Sequence, residues 1–154
     1  MWDAIQLCDI FSANEEEARS ILGRNTPGSN RDSNTAELLE LTTPFVEAGA
    51  RWCTLRRGAD GAVVHEKSSN TAWSIPAVGG LRVVDTTGCG NAFCGGFIAG
   101  IQSGLGAEVA GTVATAAASI MAEHQGVPQG LEVGDIRQNT EMRRRISKLQ
   151  PVSL

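Results

Sequence analysis

The chain has 154 residues, of which 42% are hydrophobic and 19% charged, a size and balance that fit one globular domain with a true core and exclude global disorder. Its net charge of −4 removes the electrostatic case for nucleic acid or an anionic membrane as partner. No apolar run of about 18 residues occurs, so a membrane-spanning helix is excluded on length.

The start, MWDAIQLCDIF, lacks the basic opening and unbroken apolar stretch of a secretory signal. Ile5 to Phe11 reads as a short buried strand. It leads into Ser12-Ala-Asn14-Glu-Glu-Glu17, whose carboxylates suit the positive end of a helix dipole, and the helix stops near Gly23. Residues 24 to 35 are polar and turn-rich, a loop. A helix over Ala36 to Ala48 carries Leu38, Leu41 and Phe45 at helical spacing, and Pro44 is expected to kink it or move its boundary. Next come a strand from Arg51 to Arg56, the turn Gly58-Ala-Asp60-Gly61, a strand from Ala62 to Glu66, a turn, and a strand from Thr71 to Ile75: a hairpin meander. Val83 and Val84 end another short strand. A small-residue helix follows from Ala92 to about Ser103, then a longer one from Ala107 to His124 with Val109, Val113, Ala116, Ala117, Ile120 and Met121 on its buried face. A last helix starts near Asp135. Its basic cluster, Arg143 to Arg145, reads as a solvated face. The four cysteines, Cys8, Cys53, Cys89 and Cys94, form no CxxC pair and read as free thiols of a reducing compartment, with the cytoplasm as default. Strands alternating with helices, plus a central hairpin, predict an α/β sandwich with a mixed sheet.

The most informative stretch is VVDTTGCGNAFCGGF. A strand, a turn containing Gly88 and Gly90, and a helix starting near Asn91 would present successive backbone N–H groups at the positive end of a helix, where they can hold a phosphate. The pattern is neither a P-loop, since no lysine follows, nor a dinucleotide fingerprint, whose third glycine is replaced by Phe93. Read alone, Asn14 and Glu17 form a capping box, and Gly58 to Gly61 is a hairpin turn.

Together these segments resemble the PfkB carbohydrate kinases, the family of ribokinases and fructokinases. Asp85-Thr-Thr87-Gly88-Cys89-Gly90-Asn91-Ala-Phe93 is similar to the family signature DTxGAGDxF, with cysteine for alanine and asparagine for the catalytic aspartate. Asn14 to Glu17 resembles the NxxE motif, Gly58 to Gly61 the GxxG nucleotide loop, and Ala116 to Gly126 the wall of the adenine pocket. The resemblance covers residues 5 to about 128 in the family's order. It implies a ribokinase-like three-layer α/β/α sandwich, of which this chain is the C-terminal ATP-binding portion, with a mixed, mostly parallel sheet. It also implies an ATP-dependent sugar kinase using Mg2+. Gly88, Cys89 and Gly90 would cradle the transferring phosphate with Asn91 at the base position; Asn14, Glu17, Gly58, Asp60, Gly61 and Thr115 would line the nucleotide. Glu17 would reach Mg2+ through water, and Asp85 and Thr87 match positions that bind a monovalent cation, K+, in some members. A carboxamide cannot take up a proton as a carboxylate does, and losing a general base typically costs roughly 10²–10⁴ in rate. Weak catalysis, or a non-catalytic nucleotide-binding scaffold on the same fold, is therefore the alternative. The family's sugar-contacting half and lid match nothing before Met1, so the chain is expected to self-associate or to need that half, with its sheet incomplete.

Overall fold

The computed structural model describes residues 2–24, 34–128 and 139–154. Two compact units divide the chain: Met1–Ser74 with Val152–Leu154, and Ile75–Pro151.

The first unit contains α1 (Trp2–Ile5), β1 (Ile10–Asn14), α2 (Glu15–Ile21), α3 (Thr35–Ala48), β2 (Trp52–Arg56), β3 (Ala62–Glu66), β4 (Thr71–Ile75) and, from the chain's end, β5 (Val152–Ser153). The strands form one sheet in the order β1-β2-β3-β4-β5. Strands β1 and β2 run parallel, with Ile10 opposite Trp52 and Asn14 opposite Arg56; β2–β3 and β4–β5 are antiparallel. The sheet is thus mixed, as expected, but among the described residues its parallel part is the β1–β2 ladder and not the greater share. The reason is connection length. A parallel pair needs a crossover, here the segment carrying α2 and α3, whereas the tight turn at Gly58–Asp60 forces β2 and β3 antiparallel.

Helix α3 buries Leu38, Leu41, Phe45 and Val46 against Ala13, Cys53, Leu55 and Val63. Each large side chain so buried contributes about 1.5–3 kcal/mol. Phe45 stacks on Phe11, with ring centroids 4.1 Å apart, and on Trp2 at 5.7 Å. That packing carries α3 on past Pro44: the helix does not end at the proline, and Leu41 and Phe45 on either side of it are completely buried. The expected first strand is also corrected. Ile5 enters the core from helix α1 while Leu7 is 89% exposed, and pairing begins only at Ile10; so short an apolar run is ambiguous between helix and strand.

The second unit contains α4 (Cys89–Gln102), α5 (Ala107–Ala122) and α6 (Thr140–Ile146). A Cβ on Gly96 would lie 2.9 Å from Ala114 Cα, and one on Gly100 equally close to Ala110 Cα. The two helices therefore touch backbone to backbone, which explains glycines that are costly for helix propensity. On the other side of α5, Val113, Ala116 and Ile120 pack with Met142 of α6. Val109, expected inside, is 44% exposed; at that turn Ala110 makes the contact with α4.

Two further expectations are overturned. Residues 81–86 form no strand. Val83 and Val84 are more than half exposed, and the Val84 and Asp85 amides both donate to the Ala122 carbonyl, at 2.8 and 3.2 Å, so a helix end takes the bonds that a strand partner would take. The basic cluster is not wholly solvated either. Arg145 is buried, donating to Glu141, Ser119 and Glu123, because a guanidinium is buried readily only when paired. The last helix begins at Thr140, capped by Asn139; its expected start near Asp135, like most of the 24–35 loop, lies outside the described residues.

Candidate functional site

In the second unit, the Asp85–Asn91 stretch is a loop that enters α4. Gly88 caps the helix with φ +85°, a left-handed conformation that glycine adopts at no steric cost. A Cβ there would also stand 2.7 Å from Met121 Cε. The Cys89 amide donates to Thr86 O at 3.1 Å and Ala92 N–H to Gly88 O at 2.9 Å. Between them, the Gly90 and Asn91 amides meet no backbone acceptor among the described residues, and no side chain caps the helix. No acidic residue stands in the first turn of α4. Two adjacent donors at the positive end of a fourteen-residue helix are chemically an anion site.

The side chains around this turn are arranged without a strong base. Asn91 is exposed. Asp85 accepts the Thr87 amide at 2.8 Å, and the amide and hydroxyl of Thr87 hold its carboxyl below the usual range, leaving it charged but a poor proton acceptor. Burial, with the charge of Asp85 added, pushes the Cys89 thiol up, so it stays protonated near neutral pH. His124 is engaged through Nδ1 with Ile120 O at 2.8 Å. Farther along α5, Thr115 is only 7% exposed and its hydroxyl has no partner among the described residues. A buried hydroxyl left unpaired is a cost that a ligand group can remove.

In the first unit, the ends of β1 and β2 bring Asn14, Glu17 and the Gly58–Gly61 turn onto neighbouring parallel strands, at the carboxyl edge where α/β sheets hold their ligands. Asn14 and Glu17 do form the capping box: Asn14 Oδ1 accepts the Glu17 amide and Glu17 Oε2 accepts the Asn14 amide, both at 2.7 Å. Glu17 Oε2 also accepts Arg56 Nη2 at 3.2 Å. The turn is closed by Arg57 N–H to Gly61 O at 2.8 Å, with Gly58 at φ +57° and Gly61 at φ +85°; Asp60 donates its amide to Arg57 O. Among the described residues no group of three or more His, Cys, Asp or Glu converges to hold a metal. Glu17 retains one carboxylate oxygen, Oε1, clear of these bonds. That donor set fits Mg2+ arriving with a nucleotide and keeping its waters, and does not fit an all-protein cage.

Sequence reasoning did not single out Arg56 and Arg57, and read Glu15 only as part of an acidic helix start and Met121 only as part of a buried helix face. The acidic triplet Glu15 to Glu17 and the basic pair Arg56 and Arg57 were visible as complementary charges, but only the β1–β2 register pairs them. His65 is buried on β3, with Nδ1 3.1 Å from Thr42 Oγ1.

The family described as pfkB family carbohydrate kinase matches residues 2–133. An uncharacterized protein of Schizosaccharomyces pombe is 32% identical over 141 residues, covering 81% of this chain and 38% of its own length. The adenosine kinase of the same yeast is 30% identical over 113 residues, covering 73% of the chain and 33% of its own. In structure, the chain matches Arabidopsis thaliana ribokinase complexed with ribose and ATP at a TM-score of 0.69 and 22% identity, over 82% of this chain and 38% of that one. The chain spans well under half the length of each of these relatives, and it shares the ribokinase-like α/β fold.

Proposed function

Because the chain belongs to the pfkB family of carbohydrate kinases, we propose that it is the nucleotide-binding portion of an ATP-dependent kinase that phosphorylates the hydroxyl of a sugar or nucleoside. The observation that carries this reading is the open start of α4, where the Gly90 and Asn91 amides have no backbone acceptor among the described residues. Those donors would take the transferring phosphoryl group, stabilising the charge that develops on it. Asn14, Glu17, Gly58, Asp60, Gly61 and Thr115 are assigned to the nucleotide, with the unpaired Thr115 hydroxyl supplying a polar contact to the base. Mg2+ would offset phosphate charge when bound with ATP, and Glu17 would hold it through water. Asp85 and Thr87 are assigned to a monovalent cation such as K+. The four free cysteines are the reason to place the protein in the cytoplasm.

Asn91 sets the catalytic level. It can orient an acceptor hydroxyl by hydrogen bonding but cannot accept its proton, and neither Asp85 nor Cys89 is poised to do so. The protein is thus a slow kinase. The test is ATP-dependent phosphorylation across a panel of sugars and nucleosides, with wild-type protein and Asn91→Asp. We expect the variant to turn over roughly 10²–10⁴ times faster. No gain on any acceptor would shift the reading to the second one that Asn91 itself favours, a nucleotide-binding scaffold without turnover. Absence of any MgATP binding would remove both.

A further inference from the structure

We infer that Arg57 and Glu15 form a positioning pair that sets nucleotide affinity by fixing the Gly58–Gly61 turn against the acidic start of α2. The inference rests on the nucleotide reading above and deepens it: Arg57 precedes the glycine turn, Glu15 fills a variable position of the Asn14–Glu17 motif, and neither was given a role there.

The geometry is specific. Arg57 Nε donates to Glu15 Oε2 at 3.2 Å, with the two side chains only 7% and 9% exposed. The other oxygen of Glu15 takes Arg19 Nη2 at 2.8 Å, and Arg19 continues to Glu37 on α3. Two carboxylates and two guanidiniums are thereby joined across α2, α3 and the end of β2. Arg57 is also the residue that closes the turn: its N–H donates to Gly61 O and its carbonyl accepts the Asp60 amide. The turn and the helix start therefore meet in one side chain. Its neighbour Arg56 reaches Glu17, so adjacent residues of β2 and the turn address both ends of the Glu15–Glu17 triplet.

Stability alone does not account for this arrangement. Removing ions from water offsets most of their attraction, and apolar side chains of similar volume commonly hold such a contact equally well. What an apolar pair lacks is direction. A charge-assisted N–H···O bond fixes where the guanidinium lies and hence where its backbone lies. That matters here because Gly58 follows immediately, exposed and free of side-chain restraint, at φ +57°.

The test is isothermal titration of MgATP into wild-type protein, Arg57→Gln, Glu15→Gln, their double variant, Arg57→Lys and the apolar pair Glu15→Leu/Arg57→Met, each with a thermal melt. Both glutamine variants are expected to bind about ten-fold more weakly, as loss of partners that orient a binding group does elsewhere, and the double variant no more weakly than either. Arg57→Lys keeps the charge without the guanidinium's fixed direction and is expected to recover affinity only in part. The apolar pair is expected to melt at or above the wild-type temperature yet bind about ten-fold more weakly. Wild-type affinity in Arg57→Gln or in the apolar pair would overturn the positioning role while leaving the nucleotide reading intact. A wild-type protein that binds no MgATP would overturn that reading and this inference together.

Discussion

Two helix starts in this chain solve the same problem in opposite ways. At α2, the first turn is filled by the protein itself: Asn14 and Glu17 cap each other's amides, Glu17 accepts Arg56, and Glu15 is locked between Arg19 and Arg57. At α4, a glycine stands at the cap, no side chain closes it, and the Gly90 and Asn91 amides are left without a backbone acceptor among the described residues. The first N–H groups of any helix need partners from outside it. A start closed by carboxylates of the same chain is structural or shared with a cation, whereas one left open is available to an anion.

That contrast can be broken most severely at Gly88. Gly88→Val would force a β-branched residue to φ +85° and drive its Cβ into Met121, at a cost of about 1–3 kcal/mol for the backbone conformation alone. In urea melts the variant should be less stable by at least that amount, and MgATP should no longer raise its melting temperature. A Gly88→Val protein still protected by MgATP would show that the α4 start is not the anion site. Asn14→Ala removes one half of the capping box and should cost about 1 kcal/mol in the same melts; unchanged stability would show that the α2 start does not depend on its own cap.

The smallest expected effect is on acid sensitivity. Burial alone would raise the Glu15 carboxyl, but hydrogen bonds and charge from Arg19 and Arg57 outweigh it and hold it below its usual value of 4.5. A carboxylate with a depressed folded pKa contributes stability that is fully present above 4.5 and is lost as pH falls through the lower folded value. Amide exchange, corrected for its intrinsic pH dependence, should therefore speed up in α2 below pH 4.5 and stay level in α4, whose first turn carries no carboxylate. Glu15→Gln should flatten the α2 response. Equal acid loosening of both helices would mean that Glu15 is not what holds α2.

Much of the fold was legible as local pattern. The helical spacing of Leu38, Leu41 and Phe45, the glycine turn between β2 and β3, and the capping box at Asn14 are each encoded within one or two turns of chain. The failures share a different cause. Ile5 to Phe11 was misassigned because so short an apolar run carries no period of its own. Val83 and Val84 have the β-branched character of a strand, but the Val84 and Asp85 amides donate to Ala122 O at a helix end, and pairing is not a property of the segment being paired. Arg145 looked solvated until Glu123 and Ser119, 22 and 26 residues away, were brought to it.

What the sequence determined by itself was the family and its motif positions, because the glycines, Asn14, Glu17 and Asn91 act through backbone freedom and functional groups that their neighbours in the chain already constrain. What only the tertiary structure decided was how those positions are held: the pairing of Arg56 and Arg57 with Glu17 and Glu15, the placing of Met121 beside Gly88, and a Thr115 hydroxyl without a partner among the described residues. These depend on contacts between residues far apart in the chain, and the cost of closing such contacts is met by the whole packed core.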